Sequence, residues 1–148
     1  MLKPTKILVP TDFSEYSDRA LGQGLDIAKQ YNAKIFLLHV VHKEILRAIW
    51  EHSPSKELTQ EIKVTHWTQT KDRLQIQLNK FPHAKEVEVV TPIREGVPYE
   101  KILEFGKEKG IDLIVIASLG RSGIAKYLIG SVARNVLKGA KCPVLLTK

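Results

Sequence analysis

The chain alternates short, almost unbroken apolar runs with longer stretches whose apolar residues return every three to four positions. Lys6-Ile7-Leu8-Val9-Pro10, Lys34-Ile35-Phe36-Leu37-Leu38-His39-Val40-Val41, Glu86-Val87-Glu88-Val89-Val90-Thr91, Asp112-Leu113-Ile114-Val115-Ile116-Ala117 and Pro143-Val144-Leu145-Leu146-Thr147 form the first class. Such runs predict strands covered on both faces. Between the first two, Ser14 is placed to cap a helix with Ala20, Leu21, Leu25 and Ala28 on one face, and Asn32 closes it in the left-handed conformation. A turn at Arg94-Glu95-Gly96 is expected to lead into a helix from about Pro98 through Ile102, Leu103 and Phe105 to Gly110. Ser118 to Ile129 reads as a glycine-bearing loop, and Gly130-Ser131 opens a last helix with Val132, Val136 and Leu137.

Residues 43–82 fit this alternation least. Ser53-Pro54 reads as a helix start, and Leu58, Ile62, Leu74, Leu78 and Phe81 suggest a long, imperfect helix whose pattern fails around His66-Trp67. Strands alternating with helices imply parallel pairing through crossovers. The expected fold is α/β: one doubly wound, Rossmann-like domain over residues 1–148, with a five-stranded parallel sheet in the order 3-2-1-4-5 and helices on both faces.

A chain of 148 residues with 43% hydrophobic and 26% charged positions can bury a core without a staple. The single cysteine, Cys142, forms no intramolecular disulfide, which suits a reducing cytosol. The first ten residues are apolar too briefly for a signal peptide, and no run approaches the ~18 apolar residues of a membrane span. The expectation is a soluble, cytoplasmic protein. A net charge of +7, from 23 basic against 16 acidic residues, invites a nucleic-acid reading. The basic residues are scattered beside acids and not interleaved with aromatics, so nucleic acid is disfavoured and a small anion preferred.

In open α/β sheets a ligand lies beyond the carboxyl ends of the strands where strand order reverses. Pro10, Thr11 and Asp12 follow the first strand; Ala117, Gly120, Arg121 and Gly123 follow the fourth, before Gly130-Ser131. Gly120 and Gly123 let backbone approach a ligand closely. Gly130-Ser131 offers bare N–H groups at a helix N-terminus, and Arg121 and Lys126 add positive charge. The competing reading is a loop that uses glycine only to turn. Asp12 suits a ribose hydroxyl or a magnesium ion, and equally a turn or cap before Ser14. His39 and His42 read as structural, and Trp50 and Trp67 as covers for apolar surface. The chain has no Walker A loop and no G-x-S-x-G elbow, and Gly22-x-Gly24 lies inside a helix rather than at its entrance.

Pro10-Thr11-Asp12-Phe13-Ser14 followed by Ala20 resembles the opening of universal stress proteins. Ala117, Gly120, Gly130 and Ser131 align with that family's ATP-binding pattern G-x2-G-x9-G-[ST], with alanine in place of the first glycine. Arg94-Glu95-Gly96-x-Pro98 and Cys142-Pro143-Val144-Leu145 are similar to further family segments. The resemblance implies that Asp12 and the backbone of Val40 hold ribose and adenine. It implies that Ile116 and Ala117 line the cleft beside Pro10 and Thr11, and that Gly120, Gly130, Ser131 and Val132 take the phosphates. The implied function is a stress-response protein binding ATP, with Mg2+ at Asp12, as a regulatory or protective module. The alternative is a member that works without nucleotide as a dimer. An ATP-using transferase ranks last, since neither an S-G-G-x-D-S loop nor an H-x-G-H motif is present, and at most slow hydrolysis is expected. An exposed edge at Val144-Leu145-Leu146 predicts a homodimer.

Overall fold

The computed structural model describes residues 1–120 and 128–148. Strand β1 (Lys6–Pro10) is the centre of a parallel sheet, flanked by β2 (Lys34–His42) and by a later strand at Leu113–Ala117. Ile7, Leu8 and Val9 have no exposed surface, as expected of a strand covered on both faces. Successive residues point to opposite layers. Ile7 and Val9 enter a core with Ala20, Leu21, Leu25 and Ala28 of α1 (Glu15–Tyr31), whereas Leu8 packs into a second core on the other face.

Helix α1 starts and stops where its caps dictate. The Ser14 hydroxyl accepts the Ser17 N–H at 3.2 Å, and Asn32 sits at φ 56°. Gly24 faces β1: a Cβ there would lie 2.8 Å from Val9 Cγ2, so the absent side chain sets how closely helix and strand approach.

The region after β2 is more regular than its pattern indicates. Helix α2 (Lys43–His52) follows at once, and α3 (Lys56–Asn79) runs unbroken through His66 and Trp67. Its start is not Ser53-Pro54. Ser55 is the cap, its hydroxyl accepting the Leu58 N–H at 3.1 Å.

The third predicted strand divides. Residues Pro82–Glu86 form a 3-10 turn, and only Val89–Val90 (β3) pair with Ile35 and Phe36. Pro92 has no N–H to give the ladder, so pairing resumes beyond it. Ile93–Gly96 (β4) aligns in parallel with His39–His42. Arg94-Glu95-Gly96, expected as a turn, is therefore the end of an added strand, and Gly96 at φ 141° makes the exit. Helix α4 (Pro98–Lys109) ends at Gly110 in the left-handed region. Strand β5 (Leu113–Ala117), α5 (Ser131–Gly139) and β6 (Val144–Thr147) complete the chain.

The sheet order is β3-β2-β1-β5-β6, with β4 beside β2: the expected five-strand order with one strand added. Helices α1 and α3 cover one face and α4 and α5 the other, where Ile102, Phe105, Ala133 and Val136 meet Leu8, Ile114 and Ile116. Among the described residues no helix is long and apolar enough to cross a membrane.

Candidate functional site

Strand order reverses between β1 and β5, and a cavity of about 360 Å3 opens beyond their carboxyl ends. Pro10, Thr11 and Asp12 form one wall, Val40 another, and Ile116, Ala117 and Gly120 a third; Gly130, Ser131 and Val132 close it from the start of α5. These are all the ligand-binding candidates from the sequence that lie among the described residues. Arg121, Gly123 and Lys126 lie outside them.

The wall that follows β1 is a tight turn. Thr11 extends the ladder by one bond, its N–H reaching Leu38 O at 2.8 Å. The chain then reverses at Phe13, whose φ of 66° is uncommon for a side chain of that size. Local bonds hold it there: the Thr11 hydroxyl oxygen accepts the Phe13 N–H at 3.0 Å, and Asp12 Oδ1 accepts the Ser14 N–H at 3.0 Å. Asp12 thus fills the turn role with one oxygen. Its other oxygen lies against Gly120, where a Cβ would come within 2.7 Å of Oδ2. Glycine at 120 is what lets the two strand ends meet this closely.

A buried glutamine on α3 supports the turn from behind. The Thr11 hydroxyl donates to Gln77 Oε1 at 2.8 Å, while Gln77 Nε2 donates to Asp18 Oδ1 at 2.7 Å. Thr11, Ser17 and Gln77 are all buried, so these bonds avoid the cost of orphaned polar groups.

His39 is a site residue that its sequence position did not reveal. Its Nδ1 lies 2.8 Å from the carbonyl oxygen of Thr11. A carbonyl only accepts, so Nδ1 carries the hydrogen and Nε2 is left as an acceptor. The ring rests 4.5 Å from the Phe13 ring, and the Arg73 guanidinium stands 4.0 Å from that same ring. Burial pushes the imidazole below its ordinary pKa; the Thr11 bond opposes this, Arg73 and His66 reinforce it, and Asp12 opposes it. His39 is therefore neutral at pH 7. Strand register could have found it: Pro10 aligns with Leu38, which brings residues 38–40 level with the Thr11 turn. Ser17, Pro98, Ile102 and Ala133, also on the cavity wall, come from helices and carry no local signal.

The opposite side is the N-terminus of α5. Gly130 is its cap residue and has no side chain to cap it, and no acid occupies its first turn. The Gly130 N–H donates to Ser118 O at 2.7 Å, and a Cβ on Gly130 would stand 3.3 Å from that oxygen. Small size at 130 lets α5 start against the chain leaving β5. The first-turn N–H groups of Ser131 to Ala133, which line the cavity, suit an anion. Among the described residues no group of three or more His, Cys, Asp or Glu side chains could hold a metal.

A family model described as the universal stress protein family matches residues 4–148. A universal stress protein of Methanocaldococcus jannaschii is 36% identical over 97% of this chain and 81% of its own length. The universal stress protein YxiE of Bacillus subtilis is 33% identical over 97% of the chain and 98% of its own. A solved structure of another M. jannaschii universal stress protein superposes with a TM-score of 0.83 at 28% identity, covering 99% of this chain and 97% of that one. Two more distant structures share the fold. One is a universal stress protein in complex with cAMP (TM-score 0.66, 23% identity, 98% of this chain and 97% of that one). The other is from Archaeoglobus fulgidus in complex with dAMP (TM-score 0.62, 21% identity, 99% and 100%).

Proposed function

The chain belongs to the universal stress protein family, and from that footing we propose that it is a cytosolic stress-response protein that binds ATP in this cavity as a regulatory or protective module. The observation that carries the reading is the placing, on one cavity, of Asp12 on the β1 turn and the first turn of α5, whose cap residue is a glycine. The two ends suit the two ends of a nucleotide. The backbone of Val40, with Ile116 beside it, offers an apolar slot with a peptide edge for a base; Asp12 accepts ribose hydroxyls; Ser131 and Val132 offer backbone N–H groups to phosphate, and Gly120 and Gly130 leave room for it. The nucleotides held by the two distant relatives support an adenine ligand. A bound magnesium ion would neutralise phosphate charge; Asp12 supplies one carboxylate, so most of the ion's ligands would be phosphate and water.

A second reading, a nucleotide-free protein acting through protein contacts, draws on Ala117, whose methyl stands on the cavity wall where the family pattern has glycine. In either reading the edge strand β6, with Leu145 37% exposed, pairs with its copy to form a dimer. The sequence carries no motif of a dedicated ATP-using enzyme, so ATP turnover is expected below roughly 1 per second.

Calorimetry with magnesium-ATP, alongside a melting curve for each variant, tests the proposal. Wild type is expected to bind. Gly130→Val, which drives a branched side chain toward Ser118 O, weakens binding by about tenfold or more, the loss of roughly 1.4 kcal/mol. Ala117→Gly binds as well as wild type or better. No heat at millimolar ATP from wild type and none from Ala117→Gly would overturn the nucleotide reading in favour of the second.

A further inference from the structure

Gln77 is 2% exposed, yet every partner of its amide belongs to the β1 turn or to α1, across from its own helix. Packing alone does not ask for it, since a leucine fills similar space and has no amide to satisfy. Two of its partners, Thr11 and Ser17, line the cavity; the third is Asp18.

Asp18 sets the direction of the amide. Its Oδ2 is paired with Lys80 Nζ at 2.8 Å, so the carboxylate only accepts, and Oδ1 takes a hydrogen from Gln77 Nε2 at 2.7 Å. The reversed amide would put Oε1 against Oδ1, two acceptors in contact. Oε1 is therefore turned to Thr11, whose hydroxyl donates to it at 2.8 Å. Ser17 gives its own hydrogen to Ser14 O at 2.8 Å and receives Gln77 Nε2 at 3.3 Å. With its hydrogen committed to Gln77, the Thr11 oxygen keeps a lone pair for the Phe13 N–H, 3.0 Å away. That bond holds the left-handed residue that follows Asp12 on the cavity wall. Arg73, four residues before Gln77 on the same face of α3, grips the turn a second time, its guanidinium 4.0 Å from the centre of the Phe13 ring.

We infer that Gln77 is a positioning residue for this cavity: oriented by Asp18, it fixes the Thr11 hydroxyl, and through it the turn that presents Asp12, without meeting the ligand. The effect on affinity rests on the ATP reading above; the hold on the turn does not.

Three measurements on the full chain test this. Well below its melting temperature, Gln77→Leu is expected to bind magnesium-ATP about tenfold more weakly than wild type. Its Phe13 amide should exchange with solvent about tenfold faster or more. The Ile114 amide, bonded to Pro143 O elsewhere in the sheet, should exchange as in wild type, which separates loss of the turn from loss of the fold. In a Thr11→Val background, which lacks the hydroxyl, Gln77→Leu should weaken binding no further, because the two side chains act as one unit. Gln77→Met, unbranched and closer in shape to glutamine, repeats all three should Gln77→Leu fold poorly. Wild-type affinity in Gln77→Leu, or losses that simply add to those of Thr11→Val, would overturn the positioning role. A wild type that binds no ATP would remove the nucleotide reading alone. The Phe13 amide then decides: faster exchange in Gln77→Leu upholds the inference, and unchanged exchange sinks it.

Discussion

His39 holds its hydrogen on Nδ1, against Thr11 O, with its half-buried ring tilted against that of Phe13. Its native pKa lies below the unfolded value of about 6.5, chiefly because burial disfavours the charged ring. Below about pH 6.5 the unfolded chain takes up a proton here that the native protein refuses, so the unfolded state gains. Stability contributed by the neutral ring is complete above about pH 7 and is lost as pH falls through the unfolded pKa. The loss levels off below the native one, with a slope of at most about 1.4 kcal/mol per pH unit. His39→Asn keeps a donor for Thr11 O and removes the titration. Denaturant melts from pH 7.5 to 5 should show wild type losing more stability than His39→Asn. Equal losses would place the acid sensitivity elsewhere.

Two glycines separate packing from propensity at the scale of elements. A Cβ added at Gly106 in α4 would meet nothing within 4 Å, so Gly106→Ala gains helix propensity, about 0.5–1 kcal/mol. Gly24→Ala gains the same propensity but sets a methyl 2.8 Å from Val9 Cγ2. Overpacking costs about 1–3 kcal/mol and wins, so the net change is a destabilisation of about 1 kcal/mol. Melting temperatures moving in opposite directions for the two variants would bear this out. The same contrast explains which elements could be read from sequence. Strands β1, β2 and β5 are buried on both faces, and their apolar runs are continuous; α1 and α4 bury one face and carry its period. Helix α2 repeats Ile45, Leu46, Ile49 and Trp50 at helical spacing but only over a short run and with none of them buried, and the first half of α3 has no such repeat. Strand β4 was hidden because Glu95-Gly96 looks like a turn, although Pro92 just before it is what breaks the ladder. At the site, Asp12, Gly120 and Gly130 were legible through local chemistry. His39 and Gln77 were not, because their roles depend on register and on a helix that crosses behind the turn.

At the scale of the molecule, the central strand joins two parts of the chain made far apart in time. Ile7 and Leu8 pair with Ile35 and Phe36 on one side and with Leu113 and Ile114 on the other. During synthesis β1, α1 and β2 can assemble early. The second edge of β1, however, faces solvent or a chaperone until β5 emerges, and an unpaired apolar edge is the kind of surface that aggregates. The second core is equally unfinished without Ile114 and Ile116. A chain ending at residue 111 is therefore expected to be digested by protease as readily as an unfolded one, whereas one ending at residue 120 should gain a resistant core. Equal resistance in both would mean that the first half folds without β5. On this account β1, made before the rest of its sheet, is among the last strands to be completed.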